Sequence, residues 1–346
     1  MGSPPGPQPG LAAAGGKHPT IYDVATRAGV SIGTVSRALN SPAKVAEATR
    51  QRVLGAVREL RFEPKEAATS RARRSSGRIG VFAPFSAYPS FAERLNGILT
   101  ARPQRRAEVV VFDVQSAAES AHTLESLPPL RCLDGVIVMS VPISPQVAAA
   151  LQEGRLPAVF VDVEGTPFPS VRADDHLGGE LAAGALAEAG LTRFAFLGHR
   201  QARADFASPS RRRLEGFQAG LAARALSLDQ SATALTGRSF DEAVAAATGL
   251  LAGADGPIGV FAHTDELAAA CHLAARRLGR RIPQEVGIVG FDDSAIAAAL
   301  DLTTIRQPLR ETGAWALRTL AALIEQPAAA PPSLTLPVRL VRRGSA

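Results

Sequence analysis

The stretch Thr20 to Asn40, TIYDVATRAGVSIGTVSRALN, gathers side chains suited to one kind of chemistry. Ser31 and Thr34 offer hydroxyls that both donate and accept hydrogen bonds, Ile32 an apolar surface and Gly33 bare backbone, within four residues. Presented on the first turn of a helix, these groups match base edges in the major groove of DNA. Their positioning is legible too. Ile21, Val24, Ala25 and Ala28 recur at i, i+3, i+4 and i+7, one face of a short helix. Thr20 stands as its N-cap, with Asp23 three residues on as an approximate capping box. Gly29 breaks that helix, Val30 fills the corner, and Ser31 caps a second helix to about Leu39. Two helices about a glycine turn make a helix-turn-helix, the second being the recognition helix.

Helix–glycine–helix alone is a common pattern, but the wording here is specific. It resembles the DNA-binding head of the LacI/GalR repressor family, whose motif reads close to TIxDVAxxAGVSxxTVSRxLN; every fixed position is present. The resemblance implies that Ser31, Ile32, Gly33, Thr34, Ser36 and Arg37 contact bases and phosphates, with Tyr22 and Asn40 supporting on the DNA backbone. Charge agrees. Residues 1–78 hold thirteen Lys/Arg against five Asp/Glu, a balance of +8, whereas residues 79–346 hold twenty-five against twenty-seven, a balance of −2. The net +6 is therefore concentrated beside the motif, as a phosphate-binding footprint would be.

A third helix is predicted from about Glu47 to Leu60, with Val53, Leu54, Val57 and Leu60 facing inward and Arg50, Arg52, Arg58 and Arg61 outward. The family usually has Ser where Ala46 stands, and losing that cap costs about 1 kcal/mol. Pro64 closes this headpiece, residues 19–63, behind a Pro/Gly/Ala-rich leader at 1–18. Residues 64–78 then correspond to the family's hinge, which becomes helical on operator DNA and enters the minor groove. Arg71 falls where the family has an apolar Leu wedge, so a less bent operator is expected. Arg71, Arg73 and Arg74 suit a narrow minor groove instead; the alternative is a flexible basic linker.

From Ile79 the pattern changes to strands alternating with helices. IGVFAP, VVVFDV, DGVIVMS and PAVFVDV read as strands of one half, with the helix FAERLNGILTA after the first. RFAFLG, PIGVFAH and VGIVGFDD repeat the design, with helices at about 177–189, 241–252 and 265–278. Alternating β and α implies parallel sheets covered on both faces, and two halves imply two lobes with a ligand crevice at the strand ends. The fold expected is an all-α helix-turn-helix headpiece followed, over 79–346, by an α/β two-lobed periplasmic-binding-protein-like effector and dimerisation domain. That body resembles the family's effector domain at SVRADDHLGGELA, RRRLEGFQAGLA, VGIVGFDDS and LTTIRQPL. The resemblance places three lobe crossings, near Ala173, Arg306 and Pro337.

It also carries over ligand positions: Arg213, Asp292 and Asp162, with Ser86, Tyr88 and Phe91 after the first strand and Gln307 at a crossover. For Arg213 and Asp292 the alternative is a structural ion pair. Thr264 replaces an Asn common in the family, and Asp265 is expected as a helix cap. Carboxylates and a guanidinium suit a polyhydroxylated effector, a sugar or sugar derivative.

Other classes are disfavoured. No Gly-rich dinucleotide fingerprint or P-loop follows a strand, so no nucleotide cofactor is expected, and no HExxH, nucleophile elbow or Cys/His zinc spacing points to catalysis or a metal. A sugar-transport protein would carry a secretion signal and lack the helix-turn-helix. The N-terminus lacks a long apolar core, no run of eighteen apolar residues occurs, and the only cysteines are Cys132 and Cys271. A cytoplasmic protein is expected, binding double-stranded operator DNA and a small effector. No membrane partner is expected. With no heptad tail after VRLVRRGSA, a homodimer is expected rather than a tetramer.

Overall fold

The computed structural model describes residues 19–40, 45–60, 62, 77–86, 88–101, 108–114, 116–130, 132–200, 209–237, 239–327 and 331–346. The leader, Arg61 and the hinge arginines 71, 73 and 74 lie outside the described residues.

The headpiece is three helices, α1 (Ile21–Ala28), α2 (Ile32–Asn40) and α3 (Glu47–Leu60). The Asp23 carboxylate accepts from the Thr20 backbone N–H and hydroxyl, both at 2.7 Å, closing the start of α1. Gly29 ends it at φ +64°, a left-handed conformation that glycine adopts without steric cost. Ser31 Oγ accepts from the Thr34 N–H at 3.2 Å and so caps α2. Val24, Val35 and Val53, one from each helix, are fully buried in the shared core. Two expectations for α3 need correction. Ala56, not Leu54, joins Val53 and Val57 in that core. Arg50 is buried rather than outward, because it lies three residues before Val53 on the inward stripe, so its stem covers the core edge.

The body holds two six-stranded sheets. The first, in the order β11-β5-β4-β3-β1-β2, is built from β1 (Arg78–Ala83), β2 (Glu108–Asp113), β3 (Gly135–Met139), β4 (Ala158–Val161), β5 (Ser170–Ala173) and β11 (Leu334–Leu336). The second, β12-β10-β9-β8-β6-β7, uses β6 (Phe194–His199), β7 (Thr233–Thr236), β8 (Ile258–Ala262), β9 (Val286–Phe291), β10 (Thr303–Arg306) and β12 (Arg339–Val341). All pairings are parallel except β10 with β12. Helices intervene: α4 (Pro89–Ala101), α5 (Ala117–Leu130), α6 (Pro145–Glu153), α7 (Asp175–Glu188), α8 (Ser210–Ala222), α9 (Phe240–Ala252), α10 (Asp265–Arg277), α11 (Ala295–Ala299) and α12 (Leu309–Glu325), of which α4, α7, α9 and α10 stand where the sequence predicts them. None of the described helices is long and apolar enough to cross a membrane.

Strand membership fixes the lobe crossings after β5, after β10, and between β11 and β12. These are the places the resemblance implies. The lobes are also internal repeats. Reading each sheet from its last edge, β4 corresponds to β9 and β1 to β6, while α4 follows β1 as α8 follows β6. Each lobe seats this helix against the one entering from the crossover. Gly97 of α4 packs on the Arg310 carbonyl of α12 and Gly216 of α8 on the His176 carbonyl of α7. In return Gly313 and Gly179 meet the carbonyls of Arg94 and Arg213. A Cβ at any of the four would collide with backbone, so glycine sets how near each helix pair approaches.

Candidate functional site

In the headpiece, the three-helix core turns one set of residues outward. Tyr22 is 66% exposed and Ile32 39%, and Ser31, Gly33 and Arg37 are exposed with them. Thr34 and Ser36 are half-buried. Arg37 Nε donates to the Gly33 carbonyl at 3.1 Å, so the guanidinium lies back over the residue that has no side chain of its own. Ser31 and Thr34 hydroxyls share a hydrogen bond of 2.9 Å. The face can therefore offer hydroxyls, a cation and an apolar patch to one partner. The Asn40 side chain is outside the described residues.

In the body, the strand ends bring most of the expected ligand residues together. Asp162 follows β4 at φ +56° and Asp292 follows β9 at φ +119°. Ser140, after β3, is also left-handed at φ +55°. Non-glycine residues held there cost of order 1–3 kcal/mol each, and such strain concentrates at ligand sites.

Asp162 Oδ2 is 2.6 Å from Arg94 Nη2, in an ion pair whose side chains are 6% and 4% exposed. The same Arg94 nitrogen donates to Gln307 Oε1 at 3.3 Å, and Gln307 Nε2 donates to Asp292 Oδ1. A continuous chain thus runs from one lobe, through the crossover, to the other. Arg213 Nε donates to Asp175 Oδ1 at 2.8 Å and Nη1 to the His263 carbonyl at 2.6 Å, with the guanidinium 3.5 Å above the Phe291 ring. The structural ion pair that is the alternative for Arg213 is therefore present, and its partner is Asp175.

Burial sets the electrostatics. It pushes Asp292 up to about 7, against the pull of Arg213 and with the help of Asp265. Burial also raises Asp175, opposed by Arg213 and reinforced by Asp162. His263 is held well below 6.5 by burial, then by Arg213 and His199, so it is neutral at pH 7. Tyr88 meets His199 edge-on at 5.9 Å between centroids, and His199 meets His263 at 5.8 Å. These three rings extend across the lobes.

Other expected residues are placed differently. Phe91 is 5% exposed inside the first lobe's core, with the Arg94 guanidinium 5.5 Å from its ring, so it is not a free stacking face. Ser86 is exposed, its N–H donating to Asp113. Thr264 is itself the cap of α10, accepting from the Leu267 N–H at 3.3 Å. Asp265 is not the cap. Its carboxylate accepts from the Ser294 N–H at 2.7 Å and the Thr304 hydroxyl at 2.6 Å, tying α10 to the strand ends beside Asp292. Arg94, Asp175, His199 and His263 join the site without having been expected there. Arg94 has a readable signal in the sequence, since it stands three residues before Gly97 as Arg213 stands three before Gly216.

Comparison with known proteins is consistent with both parts. Residues 20–65 match the bacterial regulatory proteins, lacI family, and residues 183–346 match a periplasmic binding protein-like domain. The ribose operon repressor of Halalkalibacterium halodurans is 30% identical over 329 residues, 94% of this chain and 96% of that protein. Among solved structures, a transcriptional regulator CelR–cellobiose complex is 29% identical with a TM-score of 0.69, covering 95% of this chain and all of that one. A lac repressor dimer bound to operator and the anti-inducer ONPF is 27% identical with a TM-score of 0.69, covering 95% and 99%.

Proposed function

The chain belongs to the lacI family of bacterial regulatory proteins and is a DNA-binding transcriptional regulator, and on that premise we propose that it is a cytoplasmic, homodimeric repressor controlled by a small polyhydroxylated effector. The observation that carries the reading is the outward face of the headpiece. Tyr22, Ser31, Ile32, Gly33 and Arg37 are exposed together while the valines behind them are buried. Ser31, Ile32 and Thr34 read base edges; Tyr22, Ser36, Arg37 and Asn40 hold the backbone. The hinge arginines Arg71 and Arg73, with Arg74, contact the minor groove at the operator centre.

The effector binds between the lobes, against Asp162, Asp292, Arg213 and Gln307, with Tyr88 beside His199 as the stacking wall. Ser86 and Thr264 lie at its margins. Relatives named for ribose and cellobiose make a sugar the first class to try. Binding acts on DNA by favouring one lobe arrangement, so its effect on operator affinity is bounded by its differential affinity for the two states. The test is calorimetry of the full-length protein with ribose, cellobiose and nucleobases, alongside operator titration. Arg213→Ala removes a charged hydrogen-bond partner worth roughly 1.5–3 kcal/mol, so effector affinity falls about ten- to hundred-fold. Nucleobase binding without a sugar response would replace the ligand class, and full affinity in Arg213→Ala would relocate the site.

A further inference from the structure

The internal repeat gives each lobe one buried arginine, but the two are used differently. Arg94 and Arg213 occupy equivalent positions in α4 and α8, and Asp162 and Asp292 equivalent strand ends. In the second lobe Arg213 turns to Asp175, and Asp292 is left with the neutral amide of Gln307. In the first lobe Arg94 turns to Asp162 itself. That wall of the cleft is therefore charge-neutral.

The Arg94–Asp162 pair is also incomplete. A side-on pairing of guanidinium and carboxylate would make two parallel hydrogen bonds. Here one forms, and both Arg94 Nε and Asp162 Oδ1 are buried with no hydrogen-bond partner. Only four buried side-chain atoms among the described residues are in this condition, and two of them belong to this pair. One is a donor and the other an acceptor.

We propose that Arg94 sets the charge selectivity of the effector site. With Asp162 it presents Nε–H and Oδ1 to one uncharged hydroxyl, which accepts from the first and donates to the second. A carboxylate or phosphate satisfies Nε–H but sets its oxygens against Oδ1. An ammonium satisfies Oδ1 but leaves Nε–H facing a cation. The site thus selects neutral polyols over their acidic, phosphorylated and amino congeners. This rests on the reading that the cleft holds a hydroxylated effector, and adds a residue and a selection rule to it.

The test uses the full-length protein and matched probes: D-glucose, D-glucosamine and D-glucuronate, then D-ribose with D-ribose 5-phosphate. Affinities come from calorimetry on the wild type, Arg94→Leu and Arg94→Lys, with thermal denaturation to establish that each variant is folded. The wild type should bind the neutral member of a set at least about ten-fold tighter than its charged congeners, the scale of one unsatisfied buried group. Arg94→Leu uncovers the Asp162 charge and should shift the glucosamine-to-glucose ratio toward the amine by about ten-fold or more. Arg94→Lys keeps the charge but has no Nε, so it should weaken the neutral ligand without that shift, and it serves if Arg94→Leu does not fold. Wild-type preference for an acidic, phosphorylated or amino probe, an unchanged ratio in folded Arg94→Leu, or undiminished affinity for the neutral ligand in folded Arg94→Lys, overturns the inference alone. Failure of every neutral probe to bind the wild type overturns both it and the effector reading beneath it.

Discussion

Replacing Asp292 by Asn should make the protein more stable at pH 8 while weakening its effector site. Asp292 is driven from the usual 3.8 to about 7, chiefly by burial. Between these values the folded state holds a proton that the unfolded chain has released, so stability falls as pH rises. The contribution is intact below about pH 4, declines toward pH 7, and is gone above about pH 8. The gap corresponds to about 4 kcal/mol. Asn is close to the protonated acid in shape, and its oxygen can still accept from Gln307 Nε2. At φ +119° it meets the same backbone constraint that Asp already meets. Asp292→Asn should therefore exceed the wild type by only about 1 kcal/mol near pH 4.5 and by up to about 4 kcal/mol at pH 8. The assay is urea denaturation of effector-free protein from pH 4.5 to 8. Asp265, raised to about 6, and Asp175, raised by burial, will leave a residual slope. Parallel pH profiles, or a variant less stable at pH 8, would refute the reasoning. At pH 8, where Asp292 is ionised, effector affinity should meanwhile drop about ten- to hundred-fold, because a charged acceptor becomes a neutral one.

Three further outcomes are expected. Ile32→Ala should relax specificity at one base pair, by roughly 1–3 kcal/mol, since it trims an apolar surface on an exposed first turn; an unchanged consensus in operator selection would sink that role. Val53→Ala should cost the headpiece about 2 kcal/mol from two buried methyl-sized groups and the cavity they leave. Operator affinity should fall in that variant while calorimetric effector binding holds, and loss of both would mean the headpiece is not an independent unit. Replacing Arg71, Arg73 and Arg74 together by Ala should flatten the log–log salt dependence of operator binding by about 0.9 for each phosphate no longer neutralised; an unmoved slope leaves these residues as linker.

The elements are legible because each carries a local physical signal. Gly29 between two capped apolar stripes defines the headpiece turn, and Val/Ile runs at regular spacing define the strands on which Asp162 and Asp292 end. The stripe of α3 is harder to read, because Leu54 and Ala56 both border the inward face and only packing decides between them. Arg50 misleads for a related reason: charge suggests solvent, whereas a long aliphatic stem can lie along a core. In the cleft, residue type indicates which positions carry charge but not which charges cancel. Arg213 pairs with Asp175, 38 positions away, and Arg94 with Asp162, 68 away. Such partners depend on the strand order, which no local pattern encodes. Asp265 reads locally as a cap, although its carboxylate reaches 39 residues on to Thr304.

The late crossing between β11 and β12 has a consequence for the order in which the chain matures during synthesis. Both sheets take an edge strand from the segment between Leu334 and Val341, so neither has all its strands until that segment is made. The headpiece core is complete by Phe62, 279 residues earlier (341 − 62). At roughly 5–20 residues per second, that interval is about 14 to 56 seconds. For that time a nascent chain carries a finished DNA-binding module ahead of two sheets that each lack an edge strand, and the ligand response proposed for it can arrive only with the last strands.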